Sequence, residues 1–142
     1  MESKTKEYQV TRRENDILYV LWSAGRPLMA SEIANDELML TTVHTTLKRM
    51  LKKNLVEVVD FVKSGNVYGR CYQPTVSLSE YEMSKMSNDF KKIKSNEVTV
   101  TDLVAELLKN EDKETVKREL DELEQVIKEI RNEIKEKQKN NS

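Results

Sequence analysis

One cysteine, one histidine and three glycines in 142 residues close off several kinds of chemistry before any pattern is read. A lone Cys71 permits no intrachain disulfide and gives no reason to expect secretion. A hydrolase or transferase needs a clustered nucleophile, base and orienting group, and a chain with only His44 and Cys71 cannot assemble the common sets. Three glycines leave no Gly-rich loop to cradle a phosphate. The chain therefore reads as a non-enzyme with no cofactor and no metal. Long apolar runs are also missing: nothing approaches the ~20 residues of a membrane span. The opening MESKTKEYQV lacks the apolar stretch of a signal peptide. A cytoplasmic protein with no membrane insertion is expected. Finally, charge of one sign is not in excess. The 24 Lys/Arg and 25 Asp/Glu give a net of −1. Residues 1–80 hold 11 basic and 10 acidic side chains, and residues 81–142 hold 13 and 15. Any affinity for nucleic acid must come from a local patch.

What is present is charge and helical periodicity. Hydrophobic residues make up 37% of the chain against 35% charged, which is low for one globular core. Much of the chain should be helix with a narrow buried stripe, and such a stripe points to an interface between chains. The most informative segment is Thr41–Lys53. Read as a helix, Val43, Leu47, Met50 and Leu51 fall at i, i+4, i+7 and i+8 and make one apolar stripe. Thr41, Thr45, Lys48, Arg49 and Lys52 lie opposite, with Thr42 on the flank. That face has no acid, and with Lys53 it carries four basic groups. It fits a helix lying in a major groove, with Lys and Arg toward phosphates and Thr and Arg toward base edges. A merely solvated helix face is the plain alternative.

The neighbouring segments decide between these. Thr11-Arg12-Arg13-Glu14 has the capping-box pattern of a helix start, and Ile17, Leu18, Leu21 and Trp22 follow at helical spacing. Gly25-Arg26-Pro27 ends that helix, and Leu28-Met29 can supply a short β-segment. A second helix opens at Ala30 or Ser31 and runs through Ile33 and Ala34. A turn at Asn35-Asp36-Glu37 leads to the third helix, about 41–54, ended by Asn54 in a position that tolerates a left-handed residue. Then the period changes. Val56–Lys63 and Val67–Pro74 are rich in β-branched and aromatic residues, with the turn cluster Ser64-Gly65-Asn66 between them. Three helices followed by a hairpin is the order of a winged helix-turn-helix. Its third helix reads DNA and its hairpin reaches the backbone, where Lys63 and Arg70 flank the turn; ordinary solubilising charges on an edge hairpin are the plain alternative for these two.

Three runs, T-R-R-E-N-D-I-L-Y-V-L-W, A-S-E-I-A and T-T-V-H-T-T-L-K-R-M-L-K-K-N-L-V, together with Y-x-P, resemble the BlaI/MecI/CopY family of winged-helix repressors. That family is of the penicillinase-repressor type. The resemblance covers residues 10–75; beyond them only the organisation is similar. It implies a homodimer that binds a pseudo-palindromic operator, blocks transcription and regulates β-lactam resistance genes. Carried onto matching positions, it implies base contacts from Thr42, Thr45 and Arg49, with Thr41 at a phosphate or base edge. Lys48, Lys52, Lys53 and the wing residue Lys63 are expected to hold phosphate. His44, on the margin of the third helix, is expected to pack or to contact backbone. Copper-responsive members carry paired C-x-C motifs near the C-terminus; this chain has no cysteine after Cys71, so that branch fails on ligand count. Cys71 itself reads as a small buried strand residue.

The resemblance also implies a regulatory protease, linked to a membrane sensor, that cuts at an Asn-Phe bond in the segment following the wing. Here the local sequence is Asn88-Asp89-Phe90, with an Asp between the two. A helix whose Phe90 packs into a dimer core outweighs cleavage on that ground. Residues 76–98 read as a junction, with Tyr81, Met83, Met86 and Phe90 spaced for a partly buried helix. Thr99-Val100-Thr101-Asp102 caps a short helix bearing Leu103, Val104, Leu107 and Leu108. A long helix over about 113–138 then carries Val116, Leu120, Leu123, Ile127, Ile130 and Ile134 at spacings of 4, 3, 4, 3 and 4. Such a stripe needs a partner, and a second copy of the chain is the simplest one. Glu114/Arg118 and Glu124/Lys128 are placed for i,i+4 pairs on the outer face.

The expected fold is mainly α with a small β-wing (α+β). A winged helix-turn-helix spans residues 1–75, a junction helix 76–98 and a helical dimerisation domain 99–142. Leu103 and Leu107 join the long-helix stripe as dimer contacts. The expected function is a homodimeric, operator-binding repressor. The alternative is a winged-helix and coiled-coil adaptor without sequence-specific DNA binding, which would have no reason to keep the third helix free of acids. A non-specific architectural DNA binder would show steep salt dependence with little sequence preference.

Overall fold

Thr11 starts the first helix, α1 (Arg12–Ala24), through a reciprocal cap. Its N–H donates to Glu14 Oε1 at 2.8 Å, and Glu14 N–H donates to Thr11 Oγ1 at 3.3 Å. Gly25 closes α1 at φ 67°, its N–H donating to Leu21 O; a side chain there would be strained by the backbone alone. The computed structural model describes residues 8–64, 67–93 and 97–141, and the side chains of residues 60–68 lie outside that description. Contacts divide the chain into two units that meet between Asp89 and Phe90.

In the first unit, β1 (Leu28–Met29) and the single-turn α2 (Ala30–Ile33) lead to α3 (Leu40–Lys52). The α2–α3 turn is organised by Asn35, whose Oδ1 accepts from the N–H groups of both Glu37 and Leu38 at 2.8 Å. Helix α3 begins one residue earlier than its pattern suggested and ends at Lys52, with Asn54 left-handed at φ 58° as expected. Strands β2 (Val56–Ser64) and β3 (Val67–Pro74) form the hairpin. The three strands make an antiparallel sheet in the order β1-β3-β2, with Leu28 opposite Tyr72 and Val56 opposite Pro74. The register shifts between Val58 and Asp60, a bulge that leaves Val59 largely exposed. The fold is a winged helix, mainly α with a small sheet.

The core lies where the three helices meet the sheet. Ile17, Leu18 and Leu21 from α1, Ile33 from α2, and Val43, Leu47 and Met50 from α3 are buried together with Leu28, Leu55, Val56 and Tyr72. Each fully buried side chain of this size contributes about 1.5–3 kcal/mol by removal from water. That packing fixes which way the other face of α3 points.

Helix α4 (Leu78–Lys92) extends the first unit beyond the wing. Val76 is buried just before it, and its carbonyl accepts a 3.0 Å hydrogen bond from Trp22 Nε1. Tyr81 and Ser84 are buried too, and Tyr81 donates its hydroxyl to Asn15 Oδ1 at 2.7 Å. The Tyr81 ring lies 5.3 Å from that of Trp22 and 5.9 Å from that of Tyr8. The segment read as a junction therefore begins as part of the head. Apolar rings one turn into α4 find a surface on α1 that helical spacing alone could not reveal.

The second unit contains α5 (Val100–Lys109) and α6 (Lys113–Asn140). Thr99 and Asp102 form the expected capping box on α5. Asp112 caps α6 by accepting from the Thr115 N–H and hydroxyl, both at 2.8 Å, and the backbone bond from Thr115 leads in holding its carboxyl below the ordinary value. Neither helix buries a residue fully. On α6 Gln125 Nε2 donates to Glu129 Oε1 at 3.2 Å, and among the described residues the ion pairs expected at Glu114/Arg118 and Glu124/Lys128 are not formed.

Candidate nucleic-acid interface

Helix α3 has two unlike faces. Val43, Thr46, Leu47 and Met50 are buried, and Leu51 is half-buried against them. Thr41, Thr45, Lys48, Arg49 and Lys52 are exposed, and Thr42 is half-buried at their margin. The face carries no carboxylate of its own. His44 is also exposed, so it does not pack at the core boundary as the helical wheel suggested. The buried position on that flank belongs to Thr46, which is only 1% exposed.

Thr45 Oγ1 donates to Thr41 O at 3.0 Å, a back-bond within the helix. With its proton used there, the side chain offers a partner its lone pairs and its methyl. The first turn starts from Met39 with no side-chain cap, which leaves the leading N–H groups of α3 without a side-chain acceptor. Helix α1 supplies one wall beside this face. Arg13 joins Thr41, Thr42, Thr45, Thr46 and Arg49 in lining an open groove of about 330 Å³. Arg13 escaped the sequence reading because it lies 28 positions before Thr41, and only the packing of α1 on α3 brings the two together.

Lys53 differs from its neighbours. Its ammonium is 2.7 Å from Glu14 Oε1 and 3.4 Å from the Gln9 carbonyl oxygen. Glu14 is fully buried, and its Oε2 has no hydrogen-bond partner among the described residues. Burial pushes the Glu14 carboxyl up. The bond from Lys53, the two bonds from Thr11 and the Lys53 charge together outweigh burial and hold it below 4.5. Lys53, expected at phosphate, is thus committed to joining the end of α3 to the start of α1. The wheel placed Lys53 on the basic face, but its partner lies 39 residues earlier in sequence and on another helix.

On the wing, Lys63 stands opposite Tyr68 and Arg70 opposite Phe61 in the strand register. Arg70 is exposed; the Lys63 side chain lies outside the described residues, as does the Gly65-Asn66 turn. Cys71 is buried on β3, as its strand position suggested. Asn88, Asp89 and Phe90 all lie within α4, the outer two half-buried and Asp89 exposed. Of the apolar stripe in the second unit, Leu103, Leu107, Leu120, Ile127 and Ile134 are exposed, and Val116, Leu123 and Ile130 are half-buried. Val100 and Val126, which the heptad reading omitted, are exposed beside them.

Among the described residues no three His, Cys, Asp or Glu side chains gather as metal ligands, and no helix is long and apolar enough to cross a membrane. A family model described as Penicillinase repressor matches residues 10–129. No curated protein matches the chain.

Proposed function

This chain belongs to the penicillinase repressor family, and from that premise we propose a homodimeric repressor that binds a pseudo-palindromic operator through α3. Members of this family are transcriptional regulators and not enzymes. The observation that carries the proposal is the acid-free face of α3, set outward by a helix whose other face is the core of the head.

Thr42, Thr45 and Arg49 read bases in this account. Arg49 can pair with guanine O6 and N7, and Thr45 presents an acceptor and a methyl to an amino group or a thymine methyl. Thr41, Lys48 and Lys52 hold phosphate, joined by wing residues such as Lys63. Lys53 leaves the contact set because Glu14 occupies it.

The exposed stripe of α5 and α6 supports dimerisation by a second copy. Leu107 is 63% exposed and Ile127 48%, values that leave large apolar side chains in water unless a partner covers them. Two heads on one clamp make the second half-site contact intramolecular, which raises affinity without any new contact. Release follows from anything that separates heads from clamp. Proteolysis at residues 88–90, by a protease linked to a membrane sensor, is one such route, and α4 would have to unwind locally to admit it. The family's description as penicillinase repressors favours regulated genes of the β-lactam-resistance kind.

Nuclease footprinting of the DNA upstream of the chain's own gene tests the reading. The expected result is two protected half-sites separated by one helical turn or a multiple of it, about 10–10.5 base pairs. A uniform loss of cleavage with no bounded site would contradict it.

A further inference from the structure

The groove beside α3 has a wall that the base and phosphate assignments above leave unused. Arg13 is exposed at the start of α1, and its Nη1 donates to the Glu37 carbonyl at 3.3 Å. That carbonyl sits on the turn held by Asn35, so the guanidinium is tethered to a fixed point. The tether uses one of five N–H donors. No carboxylate pairs with Arg13 among the described residues, although cations in the first turn of a helix oppose its dipole. Arg49 and the threonines at 41, 42, 45 and 46 line the same groove. Two guanidinium groups, several hydroxyls and no carboxylate make a lining suited to an anion.

We propose that Arg13 is a phosphate clamp. It grips the DNA strand bordering the groove that α3 enters and so fixes the register in which Arg49 and the threonines meet the bases. The inference rests on the DNA-binding reading of α3. A phosphate is favoured over a base edge because Arg13 stands on α1, off the helix that enters the groove, beside the first turn of α3, whose start has no side-chain cap. Its Glu37 anchor lies on the turn before α3.

The test is Arg13→Gln in the full chain, with fluorescence anisotropy on an upstream duplex and a scrambled duplex over a salt series. Loss of one phosphate contact should weaken both duplexes by a similar factor and make the slope of log K against log salt less negative by about 0.9. Arg13→Lys should keep most of that slope. An unchanged slope with a lowered thermal midpoint would overturn the proposal and leave Arg13 as a tether of the α2–α3 turn. Weakening confined to one base pair would overturn it in favour of base reading, and competition by inorganic phosphate with no change in DNA slope would make the groove a free-anion site. If the wild-type chain binds neither duplex, it is the DNA-binding reading that fails; if it binds and the slope is unmoved by Arg13→Gln, only the clamp does.

Discussion

At the scale of single residues, the proposed function divides the outer face of α3 into side chains that would discriminate and side chains that would merely hold. Arg49→Ala should lose about 1–3 kcal/mol at one operator position and little elsewhere. Lys52→Ala should weaken operator and scrambled DNA alike and reduce the salt slope by about one. Affinities on a set of single-base operator variants separate the two; equal losses on every sequence for Arg49→Ala would remove it from base reading. Lys53 belongs to neither group. Lys53→Ala strands a buried carboxylate and should cost about 1–3 kcal/mol of stability while leaving the salt slope untouched. Because Glu14 is held below 4.5, its contribution is complete above that pH and is lost as pH falls through the lowered value. Without Lys53 the carboxyl loses two of the interactions that lower it, so the cost of Lys53→Ala should be greatest near neutral pH and shrink as pH falls and the carboxyl is protonated. Thermal unfolding between pH 3 and 7 reads both effects, and an unchanged midpoint with a reduced salt slope would return Lys53 to the DNA. The exposed face was legible because helical spacing sorts i and i+4 neighbours. The Lys53–Glu14 pair and the Arg13 wall were not, since both are made by packing between helices far apart in sequence.

The elements were legible where a local signal marks them. Thr11 with Glu14 and Thr99 with Asp102 cap helices as their spacing promised, and Asn54 adopts the left-handed turn expected of it. The bulge at Val59 had no such signal, because one extra residue in a run of β-branched side chains leaves the pattern intact. The loosely spaced apolar residues of α4 mark it in the sequence only as a junction. Its attachment depends on Tyr81 meeting Trp22 and Asn15, which no period encodes. The consequence is that a cut near residues 88–90 falls after the docked turns of α4 and should leave the head folded. A protease site engineered at 88–90 should, once cleaved, preserve the head's thermal transition and abolish tight operator binding. Full operator affinity after complete cleavage would sink the idea that the heads depend on the clamp.

For the molecule as a whole, the two units have different requirements. The head buries a core of its own; α5 and α6 bury none of their residues fully, and their large apolar side chains remain open to water. Helix α6 alone runs for 28 residues, roughly 42 Å at ~1.5 Å per residue. The heptad spacing predicted that stripe, and Val126 and Val100 widen it. Leu123→Lys combined with Ile127→Lys should give a monomer by sedimentation that keeps the head's fold and binds operator poorly. One head with a handful of phosphate contacts is expected to bind only at about 10⁻⁴–10⁻⁶ M. Undiminished binding by a monomeric double variant would refute the clamp.

The central claim is sequence-specific binding by a dimer, and anisotropy with the purified chain tests it most directly. The DNA upstream of its own gene and a scrambled duplex would be titrated at two salt concentrations. At least a ~100-fold preference for the upstream duplex is expected, a floor beneath the roughly 10³–10⁷-fold that separates specific from non-specific sites, with two chains bound per site. Equal and steeply salt-dependent binding to both duplexes, or binding to neither, would contradict it.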